Sequence, residues 1–129
     1  MATITGTSGN DNLSGTSGGD VFLPGAGTNY MLGKAGNDAF VVRLADLESG
    51  AKNTIYDFGG AGGYTAGNND FLALTGFSAG GSLVGVQDSS VVANLAYYTF
   101  HDNASGHDFI IAITSTNGKH LAAGDFNFY

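Results

Sequence analysis

Residues 6–41 run on a period of nine without a gap: GTSGNDNLS (6–14), GTSGGDVFL (15–23), PGAGTNYML (24–32) and GKAGNDAFV (33–41). The fourth place is always glycine (Gly9, Gly18, Gly27, Gly36). The sixth is Asp11, Asp20, Asn29 and Asp38, and the eighth is Leu13, Phe22, Met31 and Phe40, with Ile4 in the eighth place of a half row ahead of them. Such offsets describe a six-residue glycine-rich turn followed by a three-residue strand whose large eighth residue points inward. Two rows make one coil of a spiral, so row one stacks on row three and row two on row four.

The rows match G-G-x-G-x-D-x-U-x, the repeat of a calcium-binding parallel β-roll. The second place is the loosest match: Thr7, Thr16 and Lys34 replace glycine, and only Gly25 keeps it. Calcium takes six to eight oxygens from a mixture of carboxylates and carbonyls, and stacked turns offer that mixture. An ion between them takes Asp11 with Asn29 on one edge and Asp20 with Asp38 on the other. Thr7, Ser8, Gly9, Ser17, Gly18, Gly25, Ala26, Gly27, Lys34 and Gly36 are the turn residues expected to complete the shell, through their carbonyls. The edges are expected to be unequal, because Asn29 brings a neutral amide and Pro24 replaces the first glycine of its turn.

Composition limits the partners. The formal charge is −7, with Lys34, Arg43, Lys52 and Lys119 the only cations against eleven acids. That balance disfavours nucleic acid, anionic lipid and polyanionic polysaccharide, which need cations to neutralise them. With 43% hydrophobic residues in 129, the chain is expected to form a single folded domain. It has no cysteine, which rules out disulfides and thiolate chemistry. No apolar run approaches the ~20 residues of a membrane span, so membrane insertion is not expected. "MATITGTSGN" lacks the features of a signal peptide, so export is expected to use another signal.

After residue 42 the period stops. "AFVVRLADL" reads as a strand running into a polar turn, and "NTIYDFGG" as a short strand with its own acid. Phe71, Leu72, Leu74 and Phe77 of "NNDFLALTGF" suit a cover over the open end of a roll. Three further β-rich runs, divided by "QDSS", "DNASG" and "STNG", carry the turn chemistry of an antiparallel meander. The expected class is all-β: a parallel β-roll over 6–41, capped by a strand-rich segment and tail over 42–129.

Together the nonapeptides, the passage from "NTIYDF" to "NDFLALTGF" and the final hairpin resemble the repeats-in-toxin (RTX) calcium-binding modules of serralysin-type proteases and the R-modules of bacterial mannuronan epimerases. The resemblance implies a β-roll that folds on calcium outside the cell and type I secretion through an uncleaved C-terminal signal. "AAGDFNFY" is similar to such a tail, though a last strand reads the same way. It implies Asp11, Asp20 and Asp38 as ligands, with Asn29 in the same role, and a further site completed by an acid just after the repeats. Asp57 is in that neighbourhood, Asn53 stands where Asp is usual, and Asp70 is the alternative.

Catalytic patterns are weak. His101 and His107 flank "DNAS", each followed by an acid, but a hairpin turn also collects polar residues, and no H-E-x-x-H or G-x-S-x-G occurs. Tyr97, Tyr98 and Phe100 form a candidate sugar-stacking platform. The favoured function is a non-catalytic calcium-binding module whose partners are calcium ions and the type I secretion machinery. The alternative is a carbohydrate-binding module with structural calcium that does not take alginate-like polyanions, and a short enzyme ranks last.

Overall fold

The computed structural model describes residues 2–62 and 69–129; the sequence-based reading of "NNDFLALTGF" begins at Asn68, outside them. The strands are β1 (Thr3–Thr5), β2 (Asp11–Ser14), β3 (Val21–Leu23), β4 (Thr28–Leu32), β5 (Ala39–Arg43), β6 (Lys52–Phe58), β7 (Phe71–Thr75), β8 (Gly81–Asp88), β9 (Leu95–Asp102), β10 (Asp108–Ser115) and β11 (Phe126–Phe128). A single five-residue helix, α1 (Leu44–Glu48), interrupts them among the described residues. The protein is therefore nearly all β.

Two sheets contain these strands, in the orders β1-β3-β5-β7-β11 and β2-β4-β6-β10-β9-β8. Every pairing in the five-stranded sheet is parallel. In the six-stranded sheet β2, β4, β6 and β10 pair parallel, whereas β9 and β8 are added antiparallel. From β1 to β7 the chain alternates between the sheets, so residues one double row apart become neighbours. Thus Asp11 lies beside Asn29, and Val21 beside Ala39.

Parallel in-register pairing turns the eighth place into two apolar ladders. One runs Ile4, Phe22, Phe40, Leu72, Phe126, and the other Leu13, Met31, Ile55, Ile113. Most of these side chains are fully buried, and the Phe22 and Phe40 rings stack with centroids 4.9 Å apart. Burial on this scale is the main stabilising term, at ~25 cal/mol per Å2 of apolar surface.

Two sequence expectations need correction. Residues 71–75 do not cover an open end: β7 is paired between β5 and β11, with Leu72 and Leu74 in the core and Phe71 on the other face. The polar turn after β5 is instead α1, tied to β5 by the Arg43–Asp46 ion pair at 2.8 Å. Of the two readings of "AAGDFNFY", the last strand is present as β11, which pairs parallel to β7 with Phe126 extending the apolar ladder.

Close stacking also explains the fourth-place glycines of the later rows. Gly36 has φ +99, and a Cβ there would press into the Gly18 backbone above it. Gly50 has a similar φ of +92 but nothing within 4 Å. Gly50→Ala should cost about 1 kcal/mol of left-handed backbone strain. Gly36→Ala should cost roughly 1–3 kcal/mol more from overpacking. Denaturant unfolding of the two variants checks this, and equal costs would mean that the rows are not in contact at Gly18.

Candidate metal centre

The connections between the two sheets form two edges. On the first lie the turns after β1 and β3 and the α1 segment, and on the second the turns after β2, β4 and β6. Each edge stacks the sixth-place residues into a column.

On the second edge the column is Ala2, Asp20, Asp38, Asp70, as the pairings of β1, β3, β5 and β7 require. Each carboxylate accepts the backbone N–H of the residue above it. Ala2 N–H donates to Asp20 Oδ1 at 3.0 Å, Asp20 N–H to Asp38 Oδ1 at 2.9 Å, and Asp38 N–H to Asp70 Oδ1 at 2.9 Å. All three acids are at most 1% exposed, and adjacent strands are only ~4.8 Å apart. No Lys, Arg or His side chain pairs with any of them among the described residues.

The second carboxylate oxygens differ. Thr7 N–H reaches Asp11 Oδ2 and Thr16 N–H reaches Asp20 Oδ2, both at 2.7 Å. In the fourth row the corresponding donor is Lys34, which has φ +70 and gives its N–H to Asp57 instead of Asp38. Asp57 collects that N–H at 2.6 Å and Gly33 N–H at 2.8 Å. Asp38 Oδ2 is left buried without a partner. It packs against Gly33, where any Cβ would collide with it, which accounts for the glycine in the first place of that row.

Titration follows from this geometry. Burial first, then the charges of Asp70, Asp20 and Asp57, push Asp38 up to about 7 against the opposing Asp20 N–H bond. Burial, with the Asp57 charge adding to it, raises Asp70 to about 6 although the N–H groups of Gly59 and Asp38 bond to it. Asp20 moves the other way, held low chiefly by the Thr16 N–H.

The first-edge column runs Asp11, Asn29, Asn53 and then Ile111. Asn29 is fully buried, and its Nδ2 donates to Ala26 O at 3.1 Å, Gly25 O at 3.3 Å and Asn53 Oδ1 at 3.4 Å. This amide nitrogen gathers the turn carbonyls that a cation on this edge would need. Asn29 Oδ1 and Asn53 Nδ2 have no partners. Asp11 is partly exposed and bonds within its own turn, to Thr7 N–H and Oγ1.

The remaining expected ligands lie in these turns. Ser8, Gly9, Ser17 and Gly18 are exposed, and the glycine N–H groups bond to Thr7 and Thr16 Oγ1. Gly27 and Gly36 sit beneath Gly9 and Gly18. Asp57, the candidate for a further site, caps the fourth-row turn through the Gly33 and Lys34 N–H groups. Sequence reasoning gave Asp70 only a lesser part, yet it is a full member of the column. The signal was present: Asn-Asp-x-apolar recurs at 10–13, 37–40 and 69–72. The leading Asn has a task of its own, since Asn10 Oδ1 accepts Thr28 N–H and Asn37 Oδ1 accepts Asn69 N–H, both at 2.8 Å.

Among the described residues no three His, Asp or Glu side chains converge to hold a metal, so an ion here needs one or two carboxylates completed by carbonyls. His101 and His107 do not form a joint site: His101 pairs with Asp108 at 2.7 Å and His107 with Glu48 at 2.9 Å. Nor do three rings form a sugar platform, because Tyr98 and Phe100 are buried and only Tyr97 is exposed.

Asp38 and Asp70 bind protons more tightly in the folded chain than in the unfolded one, where a carboxyl titrates near 3.8. Their contribution to stability is therefore full below about 4 and is lost as pH rises through about 6 and 7. Melts in chelator should show the midpoint falling from pH 4.5 to pH 8, and a midpoint that rises across that range would contradict the geometry.

Compared with known proteins, the chain matches no family model, and no curated sequence is significantly similar to it.

Proposed function

We propose that this protein is a non-catalytic calcium-binding module of the RTX type, a parallel β-roll closed by an antiparallel β-meander, which folds on calcium outside the cell. The observation that carries this reading is the column of buried acids at Asp20, Asp38 and Asp70, which no Lys, Arg or His side chain pairs with among the described residues, with Asp38 Oδ2 unpartnered. Buried carboxylates at strand spacing must either take up protons or meet a cation. At neutral pH in a calcium-rich medium the second solution is open.

The donor set suits calcium. Carboxylate and backbone oxygens are hard ligands, and glycine-rich turns can present several carbonyls at calcium's longer, flexible ligand distances. Magnesium demands tight octahedral geometry and gives up its water reluctantly. Asp20 and Asp38 would hold the ion with carbonyls of their turns. Asp11 and Asn29 form the weaker edge, because the Asn29 amide already occupies the carbonyls there. Bound calcium supplies charge neutralisation and cross-linking of rows, and it stabilises the fold by RT ln(1 + [L]/Kd), about 2.7 kcal/mol at a hundredfold excess over Kd. Calcium scarcity in a cytoplasm would then keep the chain unfolded for the type I secretion machinery, with the C-terminal segment as its signal. Four cations against eleven acids argue against nucleic acid as a partner.

Melts with calcium, magnesium and chelator test the reading. Calcium should raise the midpoint and the β content, with magnesium a poor substitute; identical melts in calcium and chelator would overturn it. Asp38→Asn removes the unpartnered charge, so it should raise stability in chelator while abolishing most of the calcium response. Asn29→Asp should do the reverse on the first edge. A carboxylate facing Gly25 O, Ala26 O and Asn53 Oδ1 loses three hydrogen bonds, which should lower stability in chelator by at least ~2 kcal/mol and strengthen the calcium response. An Asn29→Asp protein unchanged in both media would show that no ion is shared on that edge.

A further inference from the structure

The six-stranded sheet turns one face to the core and the other outward. On the outward face the register sets Tyr30, Thr54, Ala112 and Tyr97 in one row across β4, β6, β10 and β9. Ala112 is the small member of that row, and Tyr97 and Thr54 flank it at about two strand spacings from each other, roughly 10 Å. A groove of about 550 Å3 opens here, bounded by the α1–β6 connection and lined by Lys52, Thr54, Tyr97, Asp108, Ile110 and Ala112. This volume lies within the usual range for small-molecule sites, ~300–1,000 Å3.

We propose that this groove binds a neutral oligosaccharide. Its walls are amphipathic: Tyr97 is 42% exposed and Ile110 57%, which leaves an aromatic ring and an aliphatic wall free to meet the apolar face of a pyranose. Polar groups are spaced along it: Tyr97 lies beside Ala112, Lys52 beside Ile110, and Asp108 two residues further along β10. Neither the Tyr97 hydroxyl nor the Lys52 ammonium has a protein partner among the described residues, while Asp108 spends only Oδ1, on His101 Nδ1 at 2.7 Å. Free donors and a free acceptor along one groove suit hydroxyls, which donate and accept at once. Charge argues for neutrality, since Lys52 and Asp108 cancel and nothing else in the groove is charged. An acidic sugar would meet Asp108 on a molecule of net charge −7. The groove borders the first edge at Asn53 but takes no side chain from the Asp20, Asp38 and Asp70 column, so it does not depend on calcium there.

Titration calorimetry in calcium buffer with cellohexaose and mannohexaose, and with oligogalacturonate as the acidic counterpart, tests the proposal. At least one neutral hexaose should bind, with oligogalacturonate bound at least tenfold more weakly. Tyr97→Ala should weaken binding by about tenfold and Asp108→Asn several-fold. Tyr56→Ala, on the same face outside the groove, should change nothing. Each of these side chains is exposed, and an unchanged melt for each variant confirms that its fold is intact. No binding of either neutral hexaose, binding indifferent to Tyr97→Ala, or preference for oligogalacturonate lost in Lys52→Ala would each overturn the proposal. Concentration-dependent self-association abolished by Tyr97→Ala would assign the face to a second copy of the chain instead. All of these outcomes leave the calcium melts to stand or fall separately.

Discussion

The bond between the main-chain N–H of one row and the buried carboxylate of the next organises this molecule. It fixes the register of β1, β3, β5 and β7, because each clasp requires an acid directly beneath the N–H that it accepts. A charge-assisted bond of this kind is stronger than a neutral one, but it places three carboxylates one above another in a site closed to water. The same groups that tie the rows together therefore oppose one another, and the raised affinity of Asp38 and Asp70 for protons expresses that opposition. Among the described residues no Lys, Arg or His side chain relieves it.

The first edge meets the same stacking problem with amides, Asn29 and Asn53, next to a single carboxylate, Asp11. There Asn29 reaches the carbonyls of its own turn and the side chain of Asn53, so an amide does locally what an ion would otherwise do. Replacing carboxylate by amide lowers the self-repulsion of the column and gives up most of its attraction for a divalent ion. The two edges thus divide the work. One is held by the hydrogen bonds of Asn29, and the other is completed, on the reading proposed above, by calcium. Asp57 sharpens the difference by taking the Gly33 and Lys34 N–H groups, which leaves Asp38 Oδ2 bare.

Edges and faces are separate in such an architecture. The turns carry the carboxylates and carbonyls, whereas the outward faces of the sheets carry whatever side chains alternate with the core. Tyr30 and Tyr56, stacked with centroids 5.8 Å apart, and Tyr97 arise in this way on the six-stranded sheet. A surface for a ligand can therefore vary without disturbing the buried ladders beneath it.

The period alone determined the ladders and the columns. Nine residues, with glycine at the fourth place, an acid or amide at the sixth and a large apolar residue at the eighth, leave parallel stacking as the arrangement that buries every eighth residue. The all-β character, the neighbours Asp11/Asn29 and Asp20/Asp38 and the inward Phe22, Met31 and Phe40 all follow from it. Tertiary structure decided what the period could not reach. Asp70 joins the column only because β7 pairs with β5, a contact across 32 residues, and Asp57 meets the Lys34 N–H across 23. Whether Tyr97 or Tyr98 faces solvent depends on the parity of β9 against β10, and a shift of one residue would exchange them. Local spacing specifies which side chains share a face of their own strand, but the partner that satisfies a buried carboxylate or amide comes from a distant row, so only the folded register assigns it.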